Sequence, residues 1–324
     1  MKISMIIPVF NEEAAIPCFL DTVYPILDAE SAYRFELIFI NDGSEDNTLD
    51  ILLEARDADP RIKIIDLARN FGKELAMAAG FQAASGDAVI PMDVDLQDPP
   101  EIIVDFLRKW EEGYDVVLGV RRRRHADTLF KRLTADLFYR IFNALCGKRL
   151  TPNAGDFRLI SRPALDALNN LPERVRFTKA LYAWVGFRKT AVEYDRPARM
   201  NGTSKWNTWK LWNFALDGIT SFSTLPLRIW SYLGMLIAFI GFAYAAFLTF
   251  RTLIFGRDVP GYTSLMVVML VLGGLILISL GVIGEYLGRV FEETKGRPLY
   301  IARNYIGFDD VPESCRLSRK IGKI

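Results

Sequence analysis

The chain has 324 residues, with 40 Lys and Arg against 39 Asp and Glu, and the resulting net charge of +1 gives no whole-chain signal for binding nucleic acid. Its three cysteines are far apart and odd in number, which argues against a disulfide framework or a cysteine zinc site. The single histidine, His125, argues against a His-based triad or a His-rich metal site, so catalysis would fall to carboxylates, basic residues and a metal ion.

Short apolar runs rich in Ile and Val alternate with helical patterns in residues 1–125. The runs predict strands at Lys2–Val9, Phe35–Asn41, Ile62–Asp66, Ala88–Met92 and Val116–Val120. Helices are predicted between them at about 12–28, 46–58, 73–85 and 100–112. This alternation predicts a mostly parallel α/β sheet, in which ligands bind beyond the carboxyl ends of the strands.

Two stretches combine apolar, aromatic and basic side chains. Residues 127–146 place apolar side chains at helical spacing and basic ones on the other face, so they predict either a helix in a bilayer interface or an ordinary helix packed on the sheet. The stretch Trp206–Ser223 contains three tryptophans just before an apolar segment, which favours the interface interpretation.

Ile229–Phe250 and Val259–Gly284 carry no charge, and each is long enough to cross the ~30 Å hydrocarbon core as a helix. The short connection Arg251–Asp258 predicts a hairpin; the alternative is two buried core helices of a soluble protein. The N-terminal apolar run is too short for a cleavable signal peptide. Basic residues flank the pair of spans, so we expect both termini in the cytoplasm, although two arginines in the connection weaken that contrast.

The strongest local motif contains Asp93, Asp95 and Gln97 and follows the predicted strand Ala88–Met92. Carboxylates two residues apart at a strand end can converge on a hard cation such as Mg²⁺ or Mn²⁺. Such a cation would offset the charge that develops on a diphosphate leaving group. The alternative is that Asp98 caps the next helix and that the other acids are solvated.

Two further strand ends carry acidic groups. The backbone at Pro8–Phe10 can hold a base and Glu12 can bind a ribose hydroxyl; the alternative is that Asn11 caps the following helix. Asp42 can accept a hydrogen bond from a base or a ribose, although alone it forms an ordinary Asp-Gly turn.

Together these residues resemble the family 2 glycosyltransferases, which have the GT-A nucleotide-sugar fold. Asn41-Asp42-Gly43-Ser44 is similar to their D-D-G-S element, with Asn in place of the first Asp, and Asp93-Val94-Asp95 to their D-x-D. The run from Asp93 to Pro99 resembles the polyprenyl-phosphate sugar transferases, the group that includes dolichol-phosphate mannose synthase. Further matches resemble the bactoprenol glucosyltransferases, namely Asn70-Phe71-Gly72-Lys73-Glu74, Gly155-Asp156-Phe157-Arg158-Leu159, the stretch 220–228 and Gly284-Glu285-Tyr286-Leu287-Gly288-Arg289.

The resemblance, which covers about residues 1–305, implies roles for individual residues. Contacts to the nucleotide sugar would come from Pro8, Phe10, Glu12, Asp42, Lys73, Asp93, Arg199 and Lys205. The metal ion would be held by Asp93, Asp95 and Gln97. The acceptor phosphate would be bound by Arg121, Lys131, Arg132 and Ser204. The catalytic set would be Asp95, Arg121, Asp156 and Lys205, with Asp156 either a base or a group that positions the acceptor.

The implied organisation is a cytosolic GT-A catalytic domain over residues 1–205, a Trp-rich juxtamembrane helix over 206–228, two transmembrane helices over 229–288 and a cytosolic segment and tail over 289–324. The implied reaction is inverting transfer of glucose from UDP-glucose to undecaprenyl phosphate at the bacterial inner membrane, for O-antigen or other surface glycan modification.

Several alternatives remain at the sequence level. The donor can be of the GDP-mannose or UDP-aminoarabinose type, or the chain can be a silent nucleotide-sugar-binding subunit. A processive polysaccharide synthase is disfavoured because Q-x-x-R-W is absent, and a soluble phosphotransferase because no G-x-x-x-x-G-K-[ST] loop occurs. The oligomeric state stays open, a homo-oligomer included.

Overall fold

The computed structural model describes residues 1–122, 151, 154–171, 173–174, 176, 178–195, 223–255 and 261–308. The predicted interface helix at 127–146, almost all of Trp206–Ser223 and the predicted tail after residue 308 lie outside the described residues. The described chain forms two compact units, one from residues before 196 together with 297–308, and one from 223–296.

The first unit is an α/β unit. Its strands are β1 Lys2–Val9, β2 Arg34–Asn41, β3 Ile62–Leu67, β4 Ala88–Pro91, β5 Val116–Arg121, β6 Ala154–Ser161, β7 Lys189–Tyr194 and β8 Ala302–Ile306. Its helices are α1 Ala15–Ala29, α2 Thr48–Ala58, α3 Lys73–Ala83, α4 Ile102–Glu111, α5 Arg162–Asn169 and α6 Thr178–Val185. All five strands and four helices expected before residue 122 are therefore confirmed, with ends shifted by at most a few residues.

The strands form one sheet in the order β7-β5-β6-β4-β1-β2-β3-β8. Strands β1 to β5 and β7 run in one direction, while β6 and β8 run against their neighbours. The predicted mostly parallel sheet is thus confirmed. Its central strands are buried on both faces, as their continuous apolar sequence requires, and Ile3, Met5 and Ile7 are fully buried. Because parallel strands end at the same edge, the loops after β1, β2 and β4 meet there.

Strand β8 was not predicted from the sequence. It pairs with β3, the Ala68 N–H donates to the Ile301 carbonyl at 2.8 Å, and the Tyr300 hydroxyl donates to Gln82 Oε1 at 2.8 Å. The chain therefore leaves the first unit before residue 223 and returns to its sheet after residue 296.

The second unit contains two long helices, α7 Leu225–Phe255 and α8 Tyr262–Thr294, which contact each other. Their segments Leu227–Leu248 and Val267–Thr294 are long and apolar enough to cross a membrane, with mean hydropathies of 1.9 and 2.7. None of either segment is buried, so the alternative of soluble core helices is wrong. Helix α7 extends beyond the predicted span, through Arg251 to Phe255, because apolar residues resume after that arginine at Leu253, Ile254 and Phe255.

Candidate active site

Asp42 lies at the carboxyl end of β2 and organises the loop that precedes α3. Its two carboxylate oxygens accept the backbone N–H groups of Phe71 at 2.7 Å and of Gly72 at 2.9 Å. The next residue, Gly43, has a φ of 68°, and a Cβ there would come within 2.5 Å of the Arg69 carbonyl carbon. The Asp-Gly pair therefore does more than form a turn, and each Asp42 oxygen keeps a second lone pair for a ligand.

Lys73, the first residue of α3, contacts two acids that other elements supply. Its ammonium nitrogen lies 2.6 Å from Asp93 Oδ1, at the end of β4, and 3.1 Å from Asp156 Oδ2 on β6. Burial would lower the pKa of Lys73, but the charges of the two carboxylates outweigh it and raise the pKa above its usual value. Three predicted site residues thus meet at one edge of the sheet.

The two carboxylates differ in how they respond to this contact. Burial raises the pKa of Asp93. Burial would also raise the pKa of Asp156, but the charges of Lys73, Lys179 and Arg158 outweigh it and lower the pKa to about 2. Asp156 is therefore ionised at neutral pH, and its Oδ1 atom is buried with no hydrogen-bond partner in the described structure.

A bulge in β6 presents Asp156. Leu118 pairs with Arg158 and Val120 with Ala154, so residues 155–157 face the single residue Gly119 of β5. A Cβ at Gly119 would lie 2.9 Å from the Phe157 carbonyl oxygen, which explains why glycine is needed there. The bulge thus redirects the chain at the residue whose carboxylate enters the site.

Arg158 holds this bulge from inside the protein. Its guanidinium group donates to the carbonyl oxygens of Gly155 and of Asp156, the latter at 3.3 Å, and lies 3.8 Å above the ring of Tyr182. Only 3% of Arg158 is exposed. Sequence reasoning quoted this residue for its resemblance but assigned it no role, because its contacts depend on tertiary structure.

The predicted metal ligands Asp95 and Gln97 bind each other. The Gln97 backbone N–H donates to Asp95 Oδ1 at 3.2 Å, and its side-chain amide donates to Asp95 Oδ2 at 2.6 Å. Within the described part of the chain, no three His, Cys, Asp or Glu side chains are grouped closely enough to hold a metal. The predicted ligands Asp93, Asp95 and Gln97 still fit a hard divalent cation in their chemistry, because they offer carboxylate and amide oxygens. A further carboxylate oxygen without a hydrogen-bond partner, Asp156 Oδ1, belongs to the cluster that Asp93 forms with Lys73.

Arg121 ends β5 beside Asp98 and Tyr194. Its Nη2 atom lies 3.5 Å from Asp98 Oδ1, which also accepts the Tyr194 hydroxyl at 2.5 Å. The N-cap of α4 is Glu101 and not Asp98, so the capping interpretation of Asp98 is wrong. This pair was missed because Tyr194 belongs to β7, a strand that the sequence did not predict.

The loop after β1 binds the loop after β2. The Asn11 N–H donates to Ser44 Oγ at 3.0 Å, and Asn11 Oδ1 accepts the Glu45 N–H at 2.9 Å. Helix α1 begins later, with Ala14 at its N-cap position, so Asn11 does not cap it. The predicted donor-binding segment Pro8–Phe10 and Glu12 therefore lies next to the β2 loop that carries Asp42.

A buried polar contact between α3 and α6 was also missed. The Thr178 hydroxyl donates to Glu74 Oε2, and burial together with the charge of Asp156 raises the pKa of Glu74 to about 7. Helix α6 has no clear apolar period in the sequence, so no local signal indicated this contact.

The remaining predicted site residues lie outside the described residues, namely Lys131, Arg132, Arg199, Ser204 and Lys205.

Known families match both units of the chain. The profile described as glycosyl transferase family 2 matches residues 4–168, and the profile described as the GtrB C-terminal hairpin matches residues 225–290. The bactoprenol glucosyl transferase of Shigella phage SfV is 50% identical over 304 residues, which cover 94% of this chain and 99% of that protein. A prophage bactoprenol glucosyl transferase homolog of Escherichia coli strain K12 is 49% identical over 303 residues, which cover 94% of this chain and 99% of the homolog.

Among solved structures, glucosyl-3-phosphoglycerate synthase from Mycobacterium tuberculosis, in complex with Mn²⁺, uridine diphosphate and phosphoglyceric acid, is similar over 68% of this chain and 76% of its own. Its sequence identity is 21% and its TM-score is 0.46.

Proposed function

The chain belongs to glycosyl transferase family 2, and we propose that it transfers glucose from UDP-glucose to undecaprenyl phosphate at the cytoplasmic face of a bacterial plasma membrane. The observation that carries the proposal is the contact of Lys73 with both Asp93 and Asp156 at the carboxyl edge of the sheet. The names of the relatives from Shigella phage and Escherichia coli support the glucosyl group and the bactoprenol acceptor.

The chemistry of the acceptor phosphate decides whether the protein must supply a general base. A phosphate monoester has its second pKa near 6, so its oxygen is largely ionised at neutral pH and needs no strong base. We therefore assign Asp156 a positioning role, since it is already paired with Lys73. A single displacement at the anomeric carbon would invert it and give a β-linked sugar from an α-linked donor.

The leaving group is a nucleoside diphosphate, whose developing negative charge must be stabilised. Lys73 is a partly exposed cation at the sheet edge that would approach this charge, and Arg199 and Lys205 are the further proposed cations. Asp93, Asp95 and Gln97 are the proposed holders of Mg²⁺ or Mn²⁺, which would supply additional positive charge at the diphosphate. Arg121 is the proposed contact to the acceptor phosphate from the described residues, and Lys131, Arg132 and Ser204 are the further proposed contacts.

The apolar helices α7 and α8 support delivery of a lipid acceptor. Large side chains on them are widely exposed, for example Phe239 at 72% and Phe242 at 76%, as expected for a lipid-facing surface. The basic residues that flank the pair favour a cytoplasmic catalytic unit.

The test uses the full-length chain in detergent micelles with labelled UDP-glucose, undecaprenyl phosphate and Mg²⁺ or Mn²⁺. A labelled lipid is expected, and Asp156→Asn should slow its formation by roughly 10²-fold or more. The matched control is Asp105→Asn, because Asp105 is exposed on α4 and pairs with Arg108. If no labelled lipid forms with UDP-glucose, GDP-mannose or a UDP-aminoarabinose donor, the proposal is wrong and a silent binding subunit is favoured.

A further inference from the structure

A cavity of about 120 Å³ lies among β5, β6 and α6, and we call it the α6 cavity. Its apolar walls include Val116 and Leu118, and three cations line it, Arg158, Lys179 and Lys189. Among the described lining residues there is no Asp or Glu. The volume is several times the roughly 10–15 Å³ that a single water needs. The cavity is therefore large enough for a small anionic group, and its charged lining is entirely positive in this part of the chain.

Two polar groups of the lining are available to a ligand. Lys179 is half-buried, and within the described residues no carboxylate oxygen lies within 4 Å of its ammonium nitrogen, although its charge lowers the pKa of Asp156. The hydroxyl oxygen of Tyr182 is buried and has no hydrogen-bond partner there. A buried hydroxyl without a partner destabilises a protein unless a ligand satisfies it, and a half-buried ammonium group without a close counter-ion can donate hydrogen bonds to an anion. An anion whose oxygens accept hydrogen bonds would satisfy both.

The α6 cavity adjoins the reaction site through the β6 bulge. Arg158 lines the cavity and also donates to the backbone carbonyl of Asp156 at 3.3 Å. Asp156 in turn contacts Lys73 at 3.1 Å. A group bound in the cavity would thus lie one residue away from the carboxylate cluster.

We propose that the α6 cavity binds the phosphate group of a phosphate monoester, held by Lys179 and Tyr182 with Arg158 behind them. A dianionic phosphate matches a positive cavity, and its oxygens accept hydrogen bonds from an ammonium group and a hydroxyl. This site is separate from the acceptor-phosphate contacts proposed for Arg121, Lys131, Arg132 and Ser204, and its monoester can be the phosphate headgroup of a lipid. Inorganic phosphate presents the same chemistry, so the two sources are separated by experiment.

The experiment measures binding of inorganic phosphate to the full-length protein in detergent micelles by calorimetry, with no sugar donor present. Lys179→Gln is expected to weaken binding by about tenfold or more, because a charge-assisted hydrogen bond is lost. Tyr182→Phe keeps the ring under Arg158 and removes only the hydroxyl, so a smaller loss is expected. Lys109→Gln, on exposed α4, is the matched control and should bind as the wild type does.

A second arm adds a short-chain prenyl phosphate. Competition with inorganic phosphate identifies the lipid headgroup as the ligand, and binding of inorganic phosphate without competition identifies free phosphate; both outcomes support the site. The proposal is overturned if the wild type binds no phosphate, or if Lys179→Gln binds it as tightly as the wild type does with an unchanged unfolding temperature. Since no sugar is transferred, these outcomes are independent of whether the proposed glucosyl transfer takes place.

Discussion

Lys73 and Asp93 are 20 residues apart in the chain, yet the ammonium group of Lys73 lies 2.6 Å from Asp93 Oδ1. The same nitrogen reaches Asp156 at 3.1 Å, so one cation stabilises two carboxylates in a partly buried place. Without it, two neighbouring negative charges would oppose each other's ionisation. Lys73 is therefore the residue on which the charge state of the acidic cluster depends.

Replacing Lys73 by an uncharged residue should abolish most of the proposed glucosyl transfer. Lys73→Met keeps the length of the side chain and removes the charge, so we expect kcat/KM to fall by ~10²–10³-fold, as for loss of one electrostatic stabiliser. Steady-state kinetics with labelled donor measures this. Lys109→Met on α4 should leave kcat/KM unchanged, and an equal loss in both variants would show that the cluster has no special role.

Adding a single methyl group at Gly119, opposite the β6 bulge, should destabilise the protein and slow the reaction. Gly119→Ala places a carbon 2.9 Å from the Phe157 carbonyl and 3.0 Å from the Tyr194 ring, so the bulge must shift. We expect a loss of about 1–3 kcal/mol in the free energy of unfolding, typical of overpacking, together with a lower kcat. Thermal unfolding and kinetics measure the two effects. Gly234→Ala on α7, where a Cβ meets nothing within 4 Å, is the control, and normal kcat in Gly119→Ala would argue against the bulge as a positioning device.

Removal of divalent metal should stop the reaction if Asp95 helps to hold it. Chelation by EDTA is expected to abolish lipid labelling, and Mg²⁺ or Mn²⁺ should restore it. Asp95→Asn removes a hard anionic ligand, so the metal concentration for half-maximal activity should rise by at least ~10–100-fold. Titration of metal against initial rate measures this shift. Full activity in EDTA would contradict the metal prediction, and Asp105→Asn should titrate as the wild type does.

Stability should depend on pH through Glu36, which is buried on β2. Its carboxylate lies 2.8 Å from the ammonium groups of Lys2 and of Lys63 and accepts the Ser4 hydroxyl at 2.5 Å. Burial would raise the pKa of Glu36, but these partners outweigh it and lower the pKa from 4.5 to about 2.

A folded-state pKa below the unfolded value means that the stabilisation is complete above about pH 4.5 and is lost as pH falls towards 2. It amounts to about 3 kcal/mol at neutral pH. Unfolding temperatures of wild type and Glu36→Gln should therefore differ most at pH 7 and converge near pH 2. A difference that does not change with pH would contradict this assignment.

The strands of the first half of the chain could be predicted because runs of apolar residues in the local sequence show that they are buried. Runs such as Lys2–Val9 are apolar at nearly every position, and turns with Asp42 and with Asp93 mark their ends. The rule for parallel sheets predicts that the loops with Asp42 and with Asp93 lie at one edge, whereas Lys73 was named only because of the family resemblance.

The rest depends on pairing between distant segments. Strand β7 alternates exposed and partly buried residues at the sheet edge, and β8 is a five-residue strand with exposed Arg303 and Asn304, so neither has a strong local pattern. The bulge that presents Asp156 exists only because β6 pairs with β5. Likewise, the contacts of Arg158 with backbone carbonyls have no sequence signature.

Strand β8 can join the sheet only after both long apolar helices have been synthesised. The Arg303 guanidinium donates to the Ala68 carbonyl at 2.9 Å across 235 residues of chain, and those residues include both long apolar helices. During synthesis the ribosome must finish α7 and α8 before the last strand exists, so the outer edge of β3 stays uncovered until then. Completion of the sheet is therefore a late event that follows production of the hairpin, and a chain stopped after the hairpin would carry an open strand edge prone to pairing with other chains.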